Sequence, residues 1–131
     1  MKNETAFQIE IPFTISREMV ESIIVGALEG GSNYWYLLGE GIPAKDEEQT
    51  PLSMRVVNAL MEDPEFKLEI LDLENEDEVL GYLTLEGLKN AFRLVAGQHA
   101  WHFTNLVSEH DDAETHDVFF QCAVMGEIVF G

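Results

Sequence analysis

The stretch Val118-Phe119-Phe120-Gln121-Cys122-Ala123-Val124-Met125 is apolar nearly all round. A helix of that character has to be covered on several sides, so the rest of the chain must be laid around it. Asp111 with Glu114 three residues later has capping-box spacing, with aspartate in place of the usual Ser or Thr, and predicts the helix start. Gly126 ends the helix, and Glu127 to Phe130 reads as a short closing strand.

The elements that can provide that cover follow from spacing. Phe7, Ile9, Ile11, Phe13 and Ile15 alternate and predict a strand, placed at a sheet edge because Pro12 cannot donate to a ladder. Ser16 caps a helix whose stripe is Val20, Ile23, Ile24, Ala27 and Leu28, and Gly30-Gly31 reads as its left-handed C-cap. Tyr34 to Leu38 follows as a buried strand or packed turn, and Gly39 to Gln49 as a surface loop. Thr50-Pro51 gives an N-cap with proline at the first helical position, for a helix through Val56, Val57, Leu60 and Met61 that Asp63-Pro64 stops. Phe66 to Ile70 alternates as a strand, Glu74 to Glu78 is a solvated turn, and Val79 to Leu83 pairs back as a hairpin. Thr84 caps a last helix through Leu88, Ala91, Phe92 and Val95 towards Phe103.

These elements fit one domain, residues 1–131, of class α+β: about four helices packed on a small, largely antiparallel sheet, with the 118–125 helix central. The 25 acids and 7 bases leave a net charge of −18, which repels bare nucleic acid and anionic membrane surfaces. After Arg93 there is no Lys or Arg, while Glu109, Asp111, Asp112, Glu114, Asp117 and Glu127 follow. Cys122 is the lone cysteine, so no disulfide can form within the chain, and a reducing compartment is expected. The start, Met1 to Thr5, lacks the apolar run of a signal peptide, and no stretch reaches membrane-spanning length, which makes the cytoplasm the expected location.

Two stretches, Ala27-Leu28-Glu29-Gly30-Gly31-Ser32-Asn33-Tyr34-Trp35 and Asp112-Ala113-Glu114-Thr115 continuing to Met125-Gly126-Glu127-Ile128-Val129-Phe130-Gly131, carry a resemblance. As a pair they are similar to a family of small acidic proteins of bacteriophages, prophages and related mobile elements of bacteria. That family has no assigned activity, so the resemblance implies a bacterial host cell and no catalytic residues. His116 departs from it, standing where a small apolar residue is expected.

Several constellations invite chemistry. Asn33, Tyr34, Trp35 and Tyr36 beside Gly30-Gly31 can form a ligand pocket or, more simply, core aromatics behind a capped helix. His99 and His102 share a helical face at i, i+3, and Asp112 is spaced to orient His116, yet no H-E-x-x-H or paired-cysteine pattern is present. The simpler reading leaves His110 and His116 solvated or capping. Gly39, Gly41 and Lys45 do not meet the phosphate-loop pattern, and Cys122 lies among apolar residues that suppress thiol reactivity. The acid clusters at 46–48, 62–65, 72–78 and 109–117 either solubilise the chain or imitate a row of phosphates.

The expected function is therefore a non-enzymatic accessory or interaction protein of a mobile element. Its partner is a protein, without direct nucleic-acid or membrane contact, and neither a cofactor nor a metal is expected. The candidate binding surface is Asn33, Tyr34, Trp35, Tyr36, Asp111, Asp112, Glu114 and Asp117. The first alternative is an acidic DNA mimic that blocks a basic host defence protein. The second is a metal-dependent or small-molecule enzyme using the histidines or the Gly-Gly-aromatic segment.

Overall fold

A computed structural model describes residues 4–131; Met1 to Asn3, part of the start read for a leader, lie outside the described residues. The α+β class is observed. Among the described residues there are five α-helices: α1 (Arg17–Gly26), α2 (Leu52–Glu62), α3 (Leu85–Gln98), α4 (Ala100–Val107) and α5 (Ala113–Met125). Three strands, β1 (Tyr36–Leu38), β2 (Leu68–Asp72) and β3 (Asn75–Leu83), form an antiparallel sheet in chain order.

The apolar stretch forms the body of α5, where every residue from Thr115 through Val124 except His116 is buried. It is packed by α1, α3, α4 and β3, which is why nearly every side of it is apolar. One core follows, joining Ile23 and Ile24 of α1, Val56 and Leu60 of α2, Ile70 and Leu83 of the sheet, and Phe119 and Phe120. Gly126 closes α5 in the left-handed conformation, φ 76°, as glycine allows at little cost. Ser16 and Thr84 cap α1 and α3 through side-chain oxygens that accept from Met19 N–H and Gly87 N–H.

Several expectations need correction. Residues 7–15 form no strand: the segment has no regular secondary structure, and alternation in a sequence does not by itself supply a ladder partner. Gly30-Gly31 is not a left-handed cap. A π-helical turn, Ala27–Gly31, continues α1, and Ser32 N–H closes it onto the Ala27 carbonyl at 3.0 Å. The strand expected over Tyr34 to Leu38 begins at Tyr36, because Trp35 N–H still bonds the Ser32 carbonyl. Helix α2 takes Pro51, not Thr50, as its N-cap, while Thr50 N–H is held by the Asp46 carboxylate.

The hairpin turn is shorter than the acidic run suggests, since β3 already starts at Asn75, opposite Asp72. The helix expected to run to Phe103 breaks at His99, φ −134°, just past Gly97, and the break raises the number of helices to five. His99 and His102 therefore share no helical face. The cap of α5 is Asp112, whose carboxylate accepts from Thr115 N–H at 3.0 Å, and not Asp111. Residues 127–130 form no strand; the Gln121 side-chain amide bonds the backbone of Val129 and Phe130 instead.

Candidate functional site

Residues 32–35 and the start of α5 meet in space around one carboxylate. Asp117, 8% exposed, projects inward from α5. Its Oδ1 accepts from Ser32 Oγ at 2.7 Å and Trp35 Nε1 at 2.8 Å, and its Oδ2 from Tyr34 Oη at 2.5 Å and Gln121 Nε2 at 3.0 Å. Bonds to an ionised acceptor are the strong kind, which is how a carboxylate can sit in an apolar helix without a cation beside it.

One turn further along α5, Gln121 extends this brace to the C-terminal tail. Its Oε1 accepts from Val129 N–H at 2.8 Å and Phe130 N–H at 2.9 Å, while its Nε2 donates to the Phe130 carbonyl at 3.1 Å. The Phe130 ring then stacks on Trp35, centroids 5.3 Å apart. Burial, then the hydrogen bond to Asp117 and its charge, push the Tyr34 hydroxyl up to about 12, so it remains a donor at neutral pH.

Of the residues named from sequence, Tyr34, Trp35 and Asp117 are brought together, with Trp35 and Asp117 buried and Tyr34 half-exposed. Tyr36 donates to the Leu28 carbonyl at 2.9 Å, and burial raises its hydroxyl pKa. Asn33, Asp112 and Glu114 are exposed. Thr115 N–H, bonded to the Asp112 carboxylate, holds that carboxyl below the usual range. Ser32 and Gln121, which complete the brace, went unread in the sequence. A polar side chain four residues after Asp117, on the same face of an otherwise apolar helix, was the available signal for Gln121.

The partner of His116 is Asp111, at 2.5 Å from Nε2, rather than Asp112. The ring is mostly buried, not solvated, and lies against α1. A Cβ on Gly26 would come within 2.0 Å of its Nδ1, so the missing side chain at 26 makes room for the larger one at 116. Likewise a Cβ on Gly31 would meet the Ala113 carbonyl oxygen at 2.7 Å, which makes glycine the residue that lets the π-helical turn touch the start of α5. His102 instead shares a 2.9 Å hydrogen bond with the Thr115 hydroxyl. Among the described residues no group of three or more His, Cys, Asp or Glu converges as metal ligands would. Cys122 is buried, and burial pushes its thiol up to about 11.

Among the described residues the three most exposed large apolar side chains lie elsewhere, on the arm of residues 4–15. Phe7 is 80% exposed, Ile9 71%, Ile11 75% and Phe13 49%, and the backbone of the arm makes no hydrogen bond to any described residue. Its inner end rests on α4 through Phe13, edge-on to Phe103 with centroids 5.3 Å apart. Behind the arm a groove of about 730 Å³ runs over Val20, Leu88 and Phe92. Arg17, Lys89 and Arg93 border it, and no acid is among the described residues that line it.

Fold and site together define a small α+β domain whose buried polar brace ties α5 to both neighbouring segments, and whose apolar arm meets the rest of the molecule at its inner end. The chain matches no protein-family model, and neither a curated protein nor a solved structure is significantly similar to it. No described helix is long and apolar enough to cross a membrane.

Proposed function

We propose that this chain is a non-enzymatic interaction protein, an accessory of a phage or related mobile element in the bacterial cytoplasm, which binds protein through its arm and the groove behind it. The exposure of Phe7, Ile9 and Ile11 along one segment without regular secondary structure carries this reading. Contiguous apolar surface of that kind costs solubility unless something covers it, and an extended segment with free backbone groups is a recurrent means of recognition between proteins. The polar brace, by contrast, spends its donors and acceptors internally, so its role in this reading is to hold the scaffold.

Mimicry of nucleic acid is the second reading, supported by the β2–β3 hairpin, where Glu74, Glu76, Asp77 and Glu78 are all exposed. An affinity capture from bacterial lysate, run in parallel with the Ile9→Asp/Ile11→Asp double variant and washed at low and high salt, separates the two. Capture that survives high salt and disappears in the variant supports the arm. Capture only at low salt, indifferent to the arm, turns the reading to mimicry. No specific partner at either salt refutes both.

A further inference from the structure

The arm and the groove are each incomplete in a single chain. The arm offers an apolar row and unpaired backbone donors and acceptors, the template for adding a strand. Its inner half, Ile11 and Phe13, already forms one wall of the groove, yet leaves about 730 Å³ unfilled between itself and the helices. Charge narrows what fits there. From Glu4 to Ser16 the sequence contains Glu4 and Glu10 and no Lys or Arg, whereas the groove is bordered by three of the chain's seven cations. Arg17 also meets Glu21, and Lys89 meets Glu86, but both pairs are exposed and Arg93 bonds only Asn90 among the described residues. A segment that is free of internal hydrogen bonds, apolar on alternate positions and mildly acidic matches the groove, and the chain carries such a segment beside it.

We propose that the occupant is the arm of a second copy: two arms pair antiparallel about a two-fold axis, and each sets Phe7 and Ile9 into the other's groove, against the Ile11 and Phe13 that wall it. A two-fold arrangement closes, so the apolar row is consumed in an assembly that ends at two copies. Eight large side chains at about 150 Å² each, taken in proportion to their exposure, together with the groove surfaces they cover, remove on the order of 1,000 Å² from water, the size at which specific interfaces begin. The proposal rests on the interaction reading above and names its partner.

Sedimentation equilibrium of the full chain across a wide concentration range tests it. The expected mass moves from 14.8 kDa in dilute solution to twice that. Ile9→Asp and Ile11→Asp, which alter exposed positions, should each hold the chain at monomer mass with an unchanged unfolding midpoint. Hydrogen exchange adds a second measurement, in which amides 7–13, Pro12 aside, slow as concentration rises and exchange freely on dilution. Three results overturn the proposal: a monomer throughout, protection of the arm that does not depend on concentration, or a dimer that both variants leave intact. If the chain is a monomer and the double variant still abolishes lysate capture, the second copy is wrong and the interaction reading stands. If the chain is a monomer and the arm affects neither measurement, both fall.

Discussion

Asp117 holds together residues far apart in the chain, so truncating it isolates what the brace contributes. Asp117→Ala would leave the buried donors of Ser32 and Trp35 without their acceptor, while Gln121 Nε2 keeps the Phe130 carbonyl and the Tyr34 hydroxyl, and about 3 kcal/mol of stability should be lost in urea unfolding. Asp117→Asn keeps Oδ1 but turns an amide towards Gln121 Nε2, which cannot flip because Oε1 already serves Val129 and Phe130. It should cost less than alanine, and equal losses would show that the volume, not the acceptor, matters. Tyr34 gives the pH dependence. Its pKa in the fold is raised from 10.0 to about 12, so its contribution is complete below pH 10 and is lost as pH climbs through 12. The alkaline fall in unfolding midpoint should shrink in Tyr34→Phe. Gly26 and His116 form a coupled pair: Gly26→Ala, normally favourable inside a helix, should cost about 1–3 kcal/mol through overpacking against the ring. In a His116→Ala background the same change should gain about 0.5–1 kcal/mol. Additive effects in that double-mutant cycle would refute the steric account.

At the scale of elements, what could be read from sequence was whatever its own residues determine. The apolar body of α5, its Gly126 stop, the caps at Ser16 and Thr84, and the β2–β3 hairpin need only local periodicity and local hydrogen bonds. Residues 7–15 and 127–130 carry strand-like patterns too, but a strand exists only with a ladder partner. The first segment has none among the described residues, and in the second Val129 and Phe130 bond Gln121 instead. The candidate site divides the same way: Tyr34, Trp35 and Asp117 could be named, while their convergence depends on how α1 and its π-helical turn lie on α5. The placement of Cys122 at the centre of α5 yields an element-scale prediction. A thiol that is buried and raised to about 11 should not react with a thiol reagent at neutral pH until α5 is exposed. Its labelling rate should therefore follow global unfolding with added urea. Fast labelling in native buffer would mean that α5 opens without the rest.

For the whole molecule the dominant fact is self-repulsion. The acid clusters at 46–48 and 74–78 lie on the surface with a net charge of −18 behind them, and at low ionic strength their fields overlap across much of the particle. Folding brings these charges closer than they are in the unfolded chain, so screening should favour the folded state. The thermal midpoint is expected to rise by several degrees between about 0.01 M and 0.5 M sodium chloride, where the Debye length falls from about 30 Å to under 10 Å. The same sign governs the meeting of two copies. Each arm must cross the other's negative field before it reaches the cations around the groove, so the dimer should tighten as salt is added. An acidic face docked on a basic partner should loosen over the same range. Opposite salt slopes for the two kinds of contact come from one charge distribution, and a dimer that weakened steadily with salt would show that its interface is not the apolar arm.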